Sequence, residues 1–230
     1  MINQRAFTRA TREYDRRERR SHFYAPVANV MRSGFEDYKL KTRSFLRQRL
    51  TRFGETDEAI WGSRESHHKN FEALLGIGDV TNKSILDVGC GFGDLLDCLN
   101  KFTISSYSGV DISPEALAIA QRRHPGHKFE TRDIHLNPFP PNSFDLVFAS
   151  GIFALSYSLW EDYVQATMSM MFGFSRIGLA ASFIERFADG SEISSCTRSG
   201  NVLNLLSHLT PRIKIHGGYA EGQYTVFLYK

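Results

Sequence analysis

Two carboxylates bracket a run of glycines: Asp87 precedes Gly89-Cys90-Gly91-Phe92-Gly93, and Asp94 follows it. Glycines at this spacing, after the apolar Ile85, Leu86 and Val88, describe a strand that turns sharply into a helix and offers bare backbone to a ligand. The dinucleotide fingerprint is G-x-G-x-x-G, with a pyrophosphate at the helix N-terminus. This turn reads G-x-G-x-G, and flanking carboxylates would repel a pyrophosphate. Two further acids end apolar runs downstream, Asp111 in Tyr107-Ser-Gly-Val-Asp111 and Asp133 after Lys128-Phe-Glu-Thr-Arg132. Asp111 lies at about the distance at which a doubly wound fold places its ribose-binding acid.

Acidic strand ends with no phosphate cradle suit a nucleoside that carries a positive centre, and S-adenosylmethionine is the common one. On Leu86-Asp-Val-Gly-Cys-Gly-Phe-Gly93, Val110-Asp-Ile-Ser-Pro114, Arg132-Asp-Ile134 and Phe144-Asp-Leu-Val-Phe-Ala-Ser-Gly151, in that order, the chain resembles the class I S-adenosylmethionine-dependent methyltransferases from about Trp61 to the C-terminus. The resemblance implies a Rossmann-like α/β fold: a doubly wound seven-stranded sheet, five parallel strands followed by an antiparallel hairpin edge. It also implies roles. Asp111 accepts the ribose hydroxyls and Ile112 covers the adenine. Asp133 accepts the adenine amine, and Ile134 helps bury the ring. Gly89, Cys90, Gly91 and Gly93 pass their backbone beside the ligand. Asp87 acts indirectly on the methionyl ammonium, and Ala149 and Ser150 present backbone groups at that end. Trp61-Gly-Ser-Arg-Glu-Ser66 is similar to a stretch that lies near the cofactor's amino acid in some small-molecule relatives, which makes Trp61 a contact and Arg64 a carboxylate clamp. Such relatives carry an arginine where this chain has Asn70.

Phe153 and Tyr157, past the fourth core strand, are the candidates for facing the sulfonium, with Trp160 beside them. Tyr157, Glu185, His67 and His68 are candidate general bases. The tetrapeptide of amino methyltransferases and the proline-cysteine pair of RNA carbon methyltransferases are both missing after that strand, where Ala149-Ser-Gly-Ile-Phe153 stands. A small-molecule acceptor, of the kind found in secondary metabolism, is therefore expected, and a nucleic acid is disfavoured. Two alternatives stay open. One is intramolecular cyclisation of the cofactor to azetidine-2-carboxylate with release of methylthioadenosine, raised by Ala154 where relatives often have asparagine. The other is a non-catalytic, cofactor-binding interaction protein.

These residues need a scaffold, and the chain of 230 residues is long enough for one sizeable core. Strands are expected at 84–89, 106–111, 127–132, 143–149, 176–183, 211–217 and 223–229, and helices at 66–75, 93–101, 114–123 and 160–172. Pro114 after Ser113 is a helix start signal. A basic arm, residues 1–60, precedes the S-adenosylmethionine-binding domain at 61–230. Residues 1–52 hold 14 Lys plus Arg against 5 Asp plus Glu, although the whole chain carries only +3. The first segment, rich in arginine from Arg5 to Arg20, reads as a solvated or docked charged helix, as a nucleic-acid arm or as a homodimer contact. From His22 to Phe53 apolar residues recur as in two short amphipathic helices, which would form a lid over the strand ends or pack outside the sheet. Cys90, Cys98 and Cys196 form no C-x-x-C pair, so neither a metal site nor a disulfide framework is expected. No apolar run is long enough to span a bilayer, and no secretory core opens the chain, so a cytoplasmic protein is expected.

Overall fold

The structure, a computed structural model, describes residues 35–60, 64–155, 159–184 and 199–230. Short apolar runs become strands wherever the preceding turn supplies a break. The described strands are β1 (Ser84–Val88), β2 (Ser106–Asp111), β3 (Lys128–Thr131), β4 (Phe144–Ala149), β5 (Ser175–Ile184), β6 (Ile213–Gly217) and β7 (Gln223–Tyr229). They form one sheet in the order β3-β2-β1-β4-β5-β7-β6. The first five run parallel, and β7 joins antiparallel between β5 and β6. The order reverses between β1 and β4, and the crevice beyond the carboxyl ends of those strands is where such sheets bind ligands.

The helices are α1 (Glu36–Phe53), α2 (Asp57–Ile60), α3 (Arg64–Leu75), α4 (Leu95–Leu99), α5 (Pro114–Arg123), α6 (Trp160–Phe174) and α7 (Ser199–Leu206). Alternate strand residues feed two cores, as pleating requires. Leu86, Val88, Val147 and Ala149 face Val164, Met168 and Met171 of α6 and Val202 and Leu206 of α7. Ile85, Tyr107, Leu146 and Phe148 face Phe71 and Leu74 of α3 and Leu95, Leu96 and Leu99 of α4. Helix α5 starts as its sequence suggests: Ser113 Oγ accepts the backbone N–H of Ala116, and Pro114 occupies the first turn.

In the N-terminal region Glu36 to Phe53 form one continuous 18-residue helix, and the earlier part of the segment expected to hold two amphipathic helices lies outside the described residues. Residues 51–60 hold the end of α1 and all of α2. Helix α7 was not expected; Gly200 and two asparagines dilute its apolar pattern. The arginine-rich segment before residue 35, and with it any dimer contact through the arm, lies outside the described residues.

Candidate active site

A cavity of about 910 Å³ opens at the carboxyl ends of the central strands. Gly89, Gly91, Asp111, Ile112, Asp133, Ile134 and Ser150 all reach its wall, so four separate sequence motifs converge on one space. The turn after β1 is shaped by positive φ at Gly89 (73°), Gly91 (55°) and Gly93 (83°). A Cβ on Gly89 would stand 2.1 Å from Ile152 Cγ2, and one on Gly91 would stand 2.9 Å from Ile60 Cδ1. Only a bare backbone fits there.

The amides of this turn are already committed. Gly89 and Cys90 both donate to the Val110 carbonyl, at 2.7 and 3.1 Å, and Gly93 donates to the Cys90 carbonyl at 2.9 Å. Gly91 donates to Asp111 Oδ2 at 3.0 Å, while Asp111 Oδ1 accepts from Ser113 N at 2.8 Å. A phosphate needs such amides pointing at it. Here three of them are taken by backbone carbonyls and the fourth, of Gly91, holds a carboxylate, and α4 is only one turn long. Asp111 is therefore a fixed acceptor on the cavity wall, its carboxyl raised by burial against the opposing pull of the Ser113 and Gly91 amides. The donor set fits a nucleoside with hydroxyls to offer and no phosphate to place.

Asp87 lies behind this wall. It is 3% exposed and accepts a hydrogen bond from the Tyr107 hydroxyl at 2.7 Å. Burial pushes its carboxyl up to about 7; the tyrosine opposes the shift, and the neighbouring Asp111 and Asp94 reinforce it. Cys90 is also buried, and burial with the surrounding carboxylates raises its thiol well above the ordinary value. Its Sγ fills the space beside Gly109, where a Cβ would come within 2.9 Å of it. Gly93 and Ala149 shape the turn and the strand end without reaching the cavity wall.

Asp133 is held from three directions. Its Oδ1 accepts the His135 backbone N–H at 2.9 Å and lies 3.5 Å from His135 Nδ1; its Oδ2 lies 2.5 Å from Lys39 Nζ. Burial alone would raise this carboxyl, but His135 and Lys39 hold it well below the usual carboxylate range. His135 is fixed in turn by Thr167 Oγ1, 3.0 Å from Nε2.

Other expected residues fall elsewhere. Phe153 is not on the cavity wall: it is 1% exposed, stacks on Phe183 at 4.9 Å and accepts Trp160 Nε1–H on its carbonyl. Its ring belongs to the core because the turn after β4 folds it inward under α6. His67 is buried 3.6 Å from Asp94, and His68 is exposed beside Glu72; neither lines the cavity. Trp61, Tyr157 and Glu185 lie outside the described residues, and Arg64 is described only as the first residue of α3. Asn70 is buried in a hydroxyl network, donating to Ser150 Oγ at 2.6 Å and accepting from the Tyr219 hydroxyl at 3.1 Å. It steadies the end of β4 from the side. Among the described residues no group of three or more His, Cys, Asp or Glu could hold a metal ion, and no helix is long and apolar enough to cross a membrane.

One wall comes from the N-terminal segment that the sequence reads as a lid or an outer layer, although none of its residues is assigned to the site there. Tyr38, Lys39, Thr42, Phe45, Leu46 and Arg49 of α1 line the cavity. Their spacing follows the i, i+3, i+4, i+7 stripe of a buried helix face, and the signal lay in Lys39, a charge standing on that stripe. Tyr163, Thr167 and Gln223 also reach the wall.

Residues 85–174 match a family model described as a methyltransferase domain. Rv1506c of Mycobacterium tuberculosis, which bears a methyltransferase name, is 31% identical over 115 residues, which are 48% of this chain and 68% of that protein. The fatty-acid O-methyltransferase of Mycolicibacterium smegmatis is 36% identical over 96 residues, or 40% of this chain and 34% of that enzyme. Apart from Rv1506c, the chain spans about a third or less of the length of the curated relatives it matches first. Magnesium protoporphyrin IX methyltransferase from Synechocystis, crystallised with S-adenosylhomocysteine, shares the fold at a TM-score of 0.63 and 13% identity, over 84% of this chain and 99% of that one. Sequence motifs, sheet order and these relatives agree: the chain belongs to the class I S-adenosylmethionine-dependent methyltransferase family.

Proposed function

We propose that the protein methylates a small molecule with an apolar body, and that Gly89, Gly91, Asp111, Ile112, Asp133, Ile134 and Ser150 hold the cofactor. The bound cofactor supplies an activated methyl group for in-line displacement. The chain's part is to bind, orient and exclude water. Asp111 accepts the ribose hydroxyls, and Ile112 and Ile134 cover the base. Asp87 lends negative charge from behind the turn, toward the end of the cofactor that carries its cationic groups.

The observation that carries the reading is that the cavity continues past Ser150 and Gly151 to Ile152, Ala154, Leu155 and Ile184. Drug-sized ligands occupy pockets of about 300–1,000 Å³. A volume of 910 Å³ stands near the upper end of that range and leaves room for an acceptor beside the cofactor. Placing two reactants in line inside a dry wall is the main source of acceleration such a site offers. Curated relatives are named for methylation of demethylmenaquinone, trans-aconitate, fatty acids and phthiotriol compounds, all small molecules. Their names support methyl transfer over cyclisation.

The test is product analysis on the full chain. S-adenosylmethionine alone should give no turnover, and addition of apolar small acceptors should give adenosylhomocysteine with a methylated product. Methylthioadenosine formed without an acceptor, or methylation confined to nucleic acid, would replace this reading.

A further inference from the structure

Lys39 is 4% exposed, and its ammonium meets two carboxylates, Glu36 Oε1 at 3.2 Å and Asp133 Oδ2 at 2.5 Å. Taking an ammonium and a carboxylate out of water costs several kcal/mol per ion, and an apolar pair of equal size often docks a helix as well or better. A lysine on the inner stripe of α1 is therefore a poor choice if docking were its whole task. Its target is a carboxylate on the cavity wall. The remaining charged neighbours do not compete for that carboxylate: Arg132 is turned toward Glu130 and the Asn137 carbonyl, and His135 occupies the other oxygen. With Oδ1 shared by two His135 groups and one lone pair of Oδ2 taken by Lys39, a single acceptor position is left on Asp133.

The other ties of α1 run to the same rim. The Tyr38 hydroxyl donates to the Ile152 carbonyl, Arg43 Nε donates to the Ile112 carbonyl at 2.9 Å, and Arg47 meets Glu115 Oε1 at 2.8 Å. The helix is thus bound to the loops after β2, β3 and β4, which carry the proposed nucleoside contacts.

We propose that Lys39 is a positioning residue for the adenine: it fixes the Asp133 carboxylate as acceptor of the 6-amino group and so joins the seating of α1 to occupation of the nucleoside site. This rests on the reading of Asp133 as the adenine-binding carboxylate. An aminopurine offers a donor to the remaining lone pair. A 6-oxopurine offers an oxygen, which the ionised carboxylate repels. Cofactor and helix then stabilise each other, because each needs the same carboxylate in the same place.

Calorimetry on the full chain with S-adenosylhomocysteine and its inosine analogue, together with a trypsin time course read at Lys41, Arg43 and Arg47, tests the proposal. The wild type should bind the adenosyl compound in preference to the inosyl one and should be cut more slowly in α1 when it is bound. Lys39→Met should weaken adenosyl binding about tenfold, narrow the preference and abolish the protection. Lys39→Arg should restore most of all three. Asp133→Asn should show the same loss, with Lys39→Met adding little on top of it, and these two variants carry the test if Lys39→Met does not fold. A folded Lys39→Met that keeps affinity and preference within about twofold of the wild type overturns the proposal. So does one that binds more tightly, which would make Lys39 a competitor of the base. If the wild type binds neither compound, the reading of the site itself is at fault; if it binds both and only the Lys39 variants are silent, the fault lies with this inference alone.

Discussion

Asp87 carries a titration that belongs to the folded chain. An unfolded aspartate ionises near 3.9, whereas burial pushes the folded group up to about 7. The folded state therefore binds the proton more tightly. The stability this contributes is complete below about pH 4 and is lost as pH rises through 7. Urea unfolding of the ligand-free protein should show Asp87→Asn losing less stability than the wild type between pH 5 and pH 8, by on the order of 1–3 kcal/mol. A cationic ligand near Asp87 would pull its proton off. Binding of S-adenosylmethionine at pH 7 should thus release protons, seen as an enthalpy that depends on the buffer, and Asp87→Asn should remove that release. Asp111 makes a sharper test of geometry. Both its oxygens accept backbone N–H groups, from Gly91 and Ser113, so Asp111→Asn must turn an NH₂ toward one of them. Cofactor affinity by calorimetry should fall by about 10- to 100-fold, consistent with the loss of a hydrogen bond to a charged group and the clash of two donors.

At the scale of elements, the glycine turn after β1 leaves no room for a side chain at Gly89. Gly89→Ala forces a positive φ on a residue with a Cβ and drives that Cβ into the stiff, branched Ile152. We expect the melting temperature to fall by several degrees and cofactor binding to be lost, whereas Gly126→Ala, with open space around it, should change neither. The same local physics explains what could be read in advance. Strands β2 and β7 and helix α5 have the ends their sequences announce, because Pro114 after Ser113 and the glycines of residues 217–222 leave little choice. Helix α1 was harder. Its stripe mixes Tyr38, Phe45 and Leu46 with Lys39, Thr42 and Arg49, so the pattern reads as weakly amphipathic until the cavity shows why polar groups belong there. Asp111 and Asp133 could be placed at the site from their strand ends. The partnership of Lys39 with Asp133 could not be foreseen, nor that of Thr167 with His135, since Lys39 and Thr167 come from distant helices that only the folded sheet brings together. Phe153 illustrates the opposite failure: an aromatic just past β4 has the right address for the cavity, and the direction of one turn sends it into the core instead.

Over the whole molecule, the cavity is lined by loops after β1, β2, β3 and β4 and by α1, so its occupation should brace most of the described chain. A ligand at about 100 times its Kd adds about 2.7 kcal/mol of stability, and about 2–4 °C accompanies each kcal/mol in a domain of this size. S-adenosylhomocysteine should accordingly raise the melting temperature by roughly 5–10 °C in a calorimetric scan. The absence of a shift at saturating ligand would mean that these loops do not share one site. The opposite, amino-terminal ends of the central strands are tied independently. Asp145 accepts from the backbone and hydroxyl of Ser84, both at 2.8 Å, and from Arg176 Nε at 2.8 Å, and Arg176 holds the carboxyl well below its usual range. That rivet joins the beginnings of β1, β4 and β5 away from the rim where ligands enter. Ala220 and Glu221 of the hairpin tip line the cavity, so exchanging residues 217–222 should reshape that wall while the hub of the sheet keeps its own alignment.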